Sequence, residues 1–226
     1  MHAAKFPLFQ TLGRRALPLL VLTLGLLAGA TPALAQWGPP PGMPYGGPSE
    51  PAHDGLWLRA HAGLAYASSK QSYSDGDVSA SGLGLTLGGQ FGAALRQDLI
   101  LHLDVAVVMV RDPAIAVAHG GTSTDYGNSS GDLSPVFFGA GATTYFGPAF
   151  LSVAVGAAAV ALGDTQTGIG YGINVLAGLE GQIRRRSFLG GALQLLFTSV
   201  PHADTSGDSP WVNTLTFGFV LMSGYR

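Results

Sequence analysis

The sequence predicts an all-β fold: an eight-stranded antiparallel up-and-down transmembrane β-barrel, preceded by a signal peptide and a Pro/Gly-rich leader. Three observations predict it. The chain is apolar and poor in charge: of 226 residues, 47% are hydrophobic and 11% charged, against about 25% charged in an ordinary soluble domain. Its 34 glycines are about twice the usual share of roughly 7%. From Leu56 to the end, period-2 alternation recurs in segments long enough to span a bilayer as strands, which takes about 9–11 residues.

The same numbers exclude other classes. A disordered chain would be rich in charge and poor in apolar residues. The absence of cysteine removes a disulfide scaffold, a thiolate zinc site and a lipidated N-terminal cysteine. A net charge of −2 gives no basic footprint for nucleic acid.

Residues 1–35 read as a secretory signal peptide. Lys5, Arg14 and Arg15 form a positive start, 16–30 is a Leu-rich apolar stretch, and Ala33-Leu34-Ala35 supplies the small-x-small cleavage pattern before Gln36. An uncleaved anchor is the competing reading, since 16–35 is about long enough to cross a bilayer. Pro18, Pro32 and the Ala-x-Ala ending favour cleavage. The Arg14-Arg15 pair lacks the surroundings of a twin-arginine signal, so the general export route is expected. Removing three of 11 basic residues and no acid leaves 8 basic and 13 acidic, net −5. Residues 36–55 carry Pro39, Pro40, Pro41, Pro44, Pro48 and Pro51. They have no apolar periodicity and read as an extended, disordered spacer. Residues 56–226 form the barrel domain.

Eight strand segments are expected near 56–68, 82–95, 99–111, 133–146, 149–162, 168–183, 187–200 and 211–225. No further run of about 18 apolar residues offers a spanning helix. Each segment has two unlike faces. In the second, Leu83, Leu85, Leu87, Phe91 and Ala93 oppose Gly84, Thr86, Gly88, Gln90 and Gly92. In the third, Leu99, Leu101, Leu103, Val105, Val107 and Met109 oppose His102 and Asp104. In the sixth, Ile169, Tyr171, Ile173, Val175, Ala177, Leu179 and Ile183 oppose Gly172, Asn174, Gly178, Glu180 and Gln182. One face is bulky and apolar, the other small, polar or charged. A soluble barrel would put many charges on its outer face, and these strands lack them. A membrane barrel reverses the faces, with lipid outside and a polar lumen. Closure is required because an open sheet edge cannot be satisfied in lipid.

The connections alternate in length. Arg96-Gln97-Asp98, Gly147-Pro148 and Arg184-Arg185-Arg186 are short; 69–81, 112–132, 163–167 and 201–210 are longer or more polar. Short periplasmic turns and long external loops have this pattern, and an even strand count puts both termini on the periplasmic side. Aromatics near segment ends (Trp57, Tyr66, Tyr145, Phe146, Phe150, Tyr171, Trp211, Tyr225) are expected to form interfacial girdles.

Residues 56–226 resemble the small eight-stranded outer-membrane barrels of the OmpA-transmembrane and OmpX type, within the porin-like proteins of Gram-negative bacteria. The resemblance is architectural. It implies localisation in the outer membrane, contact with lipid and lipopolysaccharide, and probing by the outer-membrane assembly machinery. The assembly signal would lie in Thr216, Phe217, Gly218, Phe219, Val220 and Leu221 with Tyr225, although Arg226 displaces the aromatic from the last position. No peptidoglycan-binding domain follows in this sequence. A monomer is expected.

The lumen face of these segments holds Arg59, His61, Gln90, His102, Asp104, Glu180 and Gln182, all expected in its periplasmic half. Arg59 cannot shed its charge, so it needs Glu180 or Asp104 as partner. The set reads either as a polar plug or as a gated pore or proton path. An interior of this width is normally filled, which favours the plug. His61, His102 and Asp104 make a metal site conceivable, as does Asp75-Gly76-Asp77, but neither carries a full ligand set; no metal, cofactor or catalytic residue is assigned. His119 and His202 with Ser123 and Ser206 lack the spacing of a triad. Gly168-Ile169-Gly170 lies on a strand, not before a helix, so it is not a dinucleotide site. The expected function is a structural or surface-interaction role with a plugged lumen and exposed loops. A narrow small-solute channel or a lipid-modifying enzyme are the alternatives.

Overall fold

The computed structural model describes residues 55–73, 76–96, 98–119, 122–128, 131–162, 165–184, 186–202 and 211–225. The chain divides into residues 1–49 and 50–226, and every described residue belongs to the second part. The signal peptide expected over 1–35 and the leader expected over 36–55 lie outside the described residues apart from Gly55, as do Asp75, Ser206 and Arg226.

Among the described residues eleven strands follow one another: β1 (Leu56–Tyr73), β2 (Gly76–Arg96), β3 (Leu99–Arg111), β4 (Ala114–His119), β5 (Thr122–Asn128), β6 (Asp132–Phe146), β7 (Ala149–Leu162), β8 (Thr165–Gln166), β9 (Gly170–Arg184), β10 (Ser187–Pro201) and β11 (Trp211–Tyr225). Eight of them close a ring in the order β1-β11-β10-β9-β7-β6-β3-β2, with β2 pairing back onto β1. Every neighbour is antiparallel.

The register fixes the barrel's geometry. A path along paired residues runs from Arg59 to Gln90, Asp104, Gly139, Gly156, Gly172, Thr198 and Thr214, and returns to β1 at Ser69, ten residues (59 to 69) above its start. With a rise of ~3.3 Å per residue and ~4.8 Å between strands, that stagger over eight strands corresponds to a tilt of about 40°. The resulting bore is wide enough for side chains to meet at its centre.

The outward side chains form an apolar belt. Leu83, Leu85, Phe91, Leu101, Leu103, Leu179, Phe217, Phe219 and Leu221 are all exposed, as the alternation expected, while Thr86, Gln90, His102, Asp104 and Asn174 are buried. The inward face departs from expectation in one respect. It is not uniformly small or polar, because Ile100, Leu133, Phe137, Leu176, Phe188, Leu196 and Met222 also point in and are buried. Three aromatics expected in the outer girdles belong to this interior: Trp57, Tyr145 and Phe150. Each has the parity of an inward polar neighbour, and the lumen gives each ring packing and gives the Tyr145 hydroxyl a hydrogen bond from Arg59. Tyr66, Phe146, Tyr171 and Trp211 do face outward.

The expected loops over 69–81 and 112–132 are largely strand. β1 and β2 stay paired up to Tyr73 opposite Gly76. β4 continues β3 along the same edge of β2. Between the pairs Ser81–Ala114 and Gly84–Val110, three steps on β2 face four on the other strand, so one residue is extra and the ladder bulges. Asp112, at φ 48°, takes up that bulge beside Pro113. β5 returns along β4, and the wall formed by β1, β2, β4 and β5 rises beyond β7, which ends at Leu162. Periodicity did not reveal this hairpin because Thr122–Gly127 are exposed on both faces; pairing holds them, not burial.

Candidate functional site in the barrel lumen

Arg59 lies three residues after Leu56 opens β1, and its parity sends the side chain inward, where it is fully buried. Its Nη1 donates to Gln90 Oε1 of β2 at 3.0 Å, and its Nη2 donates to Tyr145 Oη of β6 at 2.8 Å and to Glu180 Oε2 of β9 at 2.9 Å. Of the two acids open to Arg59 on sequence grounds, the structure pairs it with Glu180 across the lumen. The guanidinium also lies 4.0 Å from the Phe150 ring centroid and 4.5 Å from that of Trp57. Aromatic faces favour a cation most where water is excluded.

From Gln90 the network crosses the bore. Gln90 Nε2 donates to Asp104 Oδ2 at 2.8 Å and to Ser152 Oγ at 3.1 Å. Asn174 Nδ2 donates to the same Asp104 oxygen at 3.1 Å. Gln194 Nε2 donates to Asn174 Oδ1 at 3.1 Å, and Thr86 donates to Gln194 Oε1 at 2.8 Å. Ser152 Oγ lies 3.1 Å from His102 Nε2. Side chains of β1, β2, β3, β6, β7, β9 and β10 thus meet in one layer.

Two apolar layers enclose it. Toward the short-turn end lie Trp57, Ile100, Phe150 and Phe188. Toward the long-loop end lie Ala65, Val108, Val110, Leu133, Phe137 and Leu196. His61 packs within the lumen against Gly88, where an added Cβ would stand 2.2 Å from His61 Nε2; only glycine leaves the imidazole room. Among the described residues, both His61 nitrogens, His102 Nδ1 and Asp104 Oδ1 have no hydrogen-bond partner. A buried polar group left so costs ~1–3 kcal/mol, so packing above and below must hold this layer together.

Six of the seven expected lumen residues are therefore buried, and Arg59, Gln90, His102, Asp104 and Glu180 join through the bonds above. Gln182 is the correction. It shares their parity but stands at the rim, opposite Phe188 and two residues before β9 ends, and it is exposed. Sequence reasoning left out Tyr145, Ser152 and Gln194, all on the inward parity of their strands. Parity was the signal that could have found them. His61, His102 and Asp104 do not make a metal set: among the described residues no three His, Asp or Glu gather as one. Asp77, from the conceivable calcium loop, accepts instead from Lys70 Nζ at 2.8 Å. That hydrogen bond holds its carboxyl below the usual carboxylate range. His119 and Ser123 lie on facing strands of the exposed β4–β5 hairpin.

In the last strand Phe217, Phe219 and Leu221 face out and Thr216 and Val220 face in. Gly218 pairs with Ala65, and the Tyr225 hydroxyl accepts from Arg186 Nη1 at 2.9 Å.

The described residues define a class: a closed eight-stranded barrel with an apolar exterior and a filled, internally bonded lumen. No family model matches the chain, and no curated protein matches it. Solved structures do. The chain is similar to the outer membrane protein OprG from Pseudomonas aeruginosa, with 11% identity and a TM-score of 0.46 over 78% of this chain and 97% of that one. It is similar to Neisserial surface protein A, with 17% identity and a TM-score of 0.46 over 74% of this chain and 96% of that one. It is also similar to Ail, the attachment invasion locus protein of Yersinia pestis, with 13% identity and a TM-score of 0.36 over 75% of this chain and 97% of that one.

Proposed function

We propose that the chain is an outer-membrane β-barrel with a closed lumen, and that it acts through the surface at its long-loop end. The observation that carries this reading is the filled interior. A hydrogen-bonded layer joining seven of the eight ring strands lies between two buried apolar layers. A solute path would have to break both kinds of packing. The exposed apolar belt supports lipid outside, since a closed barrel satisfies its backbone within the bilayer. The raised wall of β1, β2, β4 and β5, with Tyr126 exposed at 67%, supports a presenting surface. The short-turn end then lies in the periplasm together with both ends of the barrel. The last strand is read by the assembly machinery, and the protein works as a monomer among lipid and lipopolysaccharide.

The test is conductance across a planar lipid bilayer containing the folded protein. The closed lumen gives no steady current in symmetric salt. A sustained, reproducible unit conductance would assign the barrel to small-solute passage instead.

A further inference from the structure

The two ends of the barrel differ in charge. Among the described residues, the short-turn end carries Arg96, Arg184 and Arg186 against Asp98, while the long-loop end carries Lys70 and Arg111 against Asp77, Asp112, Asp125 and Asp132. The cations of the long-loop end have acids beside them: Lys70 bonds Asp77, and Arg111 is paired in register with Asp132. Arg184 and Arg186 enter no ion pair among the described residues. The turn next to theirs, Gly147-Pro148, is uncharged, and Glu180 points inward onto Arg59.

The arginines also sit at a particular height. Ile183 and Leu189 are 62% and 54% exposed and close the apolar belt on β9 and β10. Arg184 is the next residue beyond Ile183, and Arg186 is the last before β10. The same step recurs where exposed Leu95 is followed by Arg96. A cation one residue past an apolar belt lies at the level of lipid phosphates, with its aliphatic stem along the hydrocarbon edge. Arg186 is held in place by the Tyr225 hydroxyl through one nitrogen of its fork, which leaves its other donors for a ligand oxygen.

We propose that the β9–β10 turn seats the phosphate headgroup of an anionic phospholipid of the periplasmic leaflet, held by Arg184 and Arg186. This rests on the reading of the barrel as membrane-spanning. Folded protein in detergent is offered phosphatidylglycerol and phosphatidylcholine together, and retained lipid is read by native mass spectrometry. Each arginine should favour the anionic lipid about five-fold, so about 25-fold for the pair. Arg184→Gln with Arg186→Gln should remove that preference, and Lys70→Gln at the opposite end should keep it. An unchanged preference in the double variant overturns the proposal. Millimolar inorganic phosphate should not displace the lipid; displacement would make this a small-anion site and overturn the lipid assignment. For wild type alone, the preference should fall as salt is raised, and a salt-insensitive preference also overturns it, so the test survives a variant that fails to fold. Insertion into pure phosphatidylcholine vesicles and into vesicles containing phosphatidylglycerol is measured alongside. Insertion there without anionic preference overturns the headgroup seat alone, whereas no insertion into either lipid overturns the membrane reading with it.

Discussion

Replacing Glu180 by Gln removes one charge from the lumen while keeping nearly the same shape. The partner, Arg59 Nη2, is 2.9 Å away, and the two side chains are 0% and 1% exposed. Two unit charges ~4 Å apart attract by about 4 kcal/mol at an effective dielectric constant of 20, and breaking a buried pair from one side costs about 3–5 kcal/mol. The introduced amide would still accept a hydrogen bond, and Tyr145 and Gln90 still bind the guanidinium. A loss near the lower limit, about 3 kcal/mol, is therefore expected. Arg59→Met should cost at least as much, because it takes the guanidinium away from Glu180 and empties the space between Trp57 and Phe150. The double variant leaves no unpaired charge. It should recover about 2 kcal/mol or more relative to the sum of the single losses, since contacting groups do not add. The assay is urea unfolding of the barrel in phosphatidylcholine vesicles, followed by heat-modifiable gel migration. Additivity within about 0.5 kcal/mol would refute the idea that this pair sustains the plug.

Three further outcomes follow from the same structure. Leu103→Arg places a charge on the exposed belt and should cost about 2–4 kcal/mol near mid-membrane, whereas Thr124→Arg on the β4–β5 hairpin should leave folding unchanged; equal tolerance in the urea assay would count against lipid contact. Gly88→Ala drives a Cβ against His61 and the Val105 carbonyl oxygen and should cost about 1–3 kcal/mol by overpacking, with part regained in Gly88→Ala/His61→Ala; no regain would mean that the imidazole is not the obstacle. N-terminal sequencing of the exported protein should begin at Gln36, and deletion of 36–54 should leave the urea midpoint of the barrel where it was; retention of Met1 or a large midpoint shift would contradict the signal-and-spacer reading.

The ring of eight strands was legible in the sequence because each spanning strand is constrained on both faces. On β3, Leu101 and Leu103 must suit the outside, and His102 and Asp104 the inside, so the period of two survives in the residue types. On the β4–β5 hairpin both faces of Thr122–Gly127 are exposed, so pairing imposes no alternation to read. Inside the lumen, parity located Arg59, Gln90, Asp104 and Glu180, and it also carried Ser152 and Gln194, which polarity alone did not make prominent. Depth was harder to read than parity. Gln182 lies on the right face and at the wrong height, and nothing in its neighbours Gly181 and Ile183 marks where the apolar lid of Phe150 and Phe188 ends. Trp57, Tyr145 and Phe150 were misplaced because an aromatic near a strand end suits an interface and a lid equally well. Their inward parity was the discriminating fact, and a cation to cover gave them the reason to turn in.

The claim on which everything else stands is that the outer face of the ring meets lipid. The chain has no cysteine, so single cysteines can be placed along β3 (Leu99–Arg111) and labelled with a nitroxide in the vesicle-bound protein. Collision with oxygen, which concentrates in lipid, should be high at positions 101, 103 and 105 and low at 100, 102 and 104, alternating with a period of two. A water-soluble nickel complex should reach none of the six. Strong nickel collisions at 101, 103 and 105 would place that face in water and contradict the account.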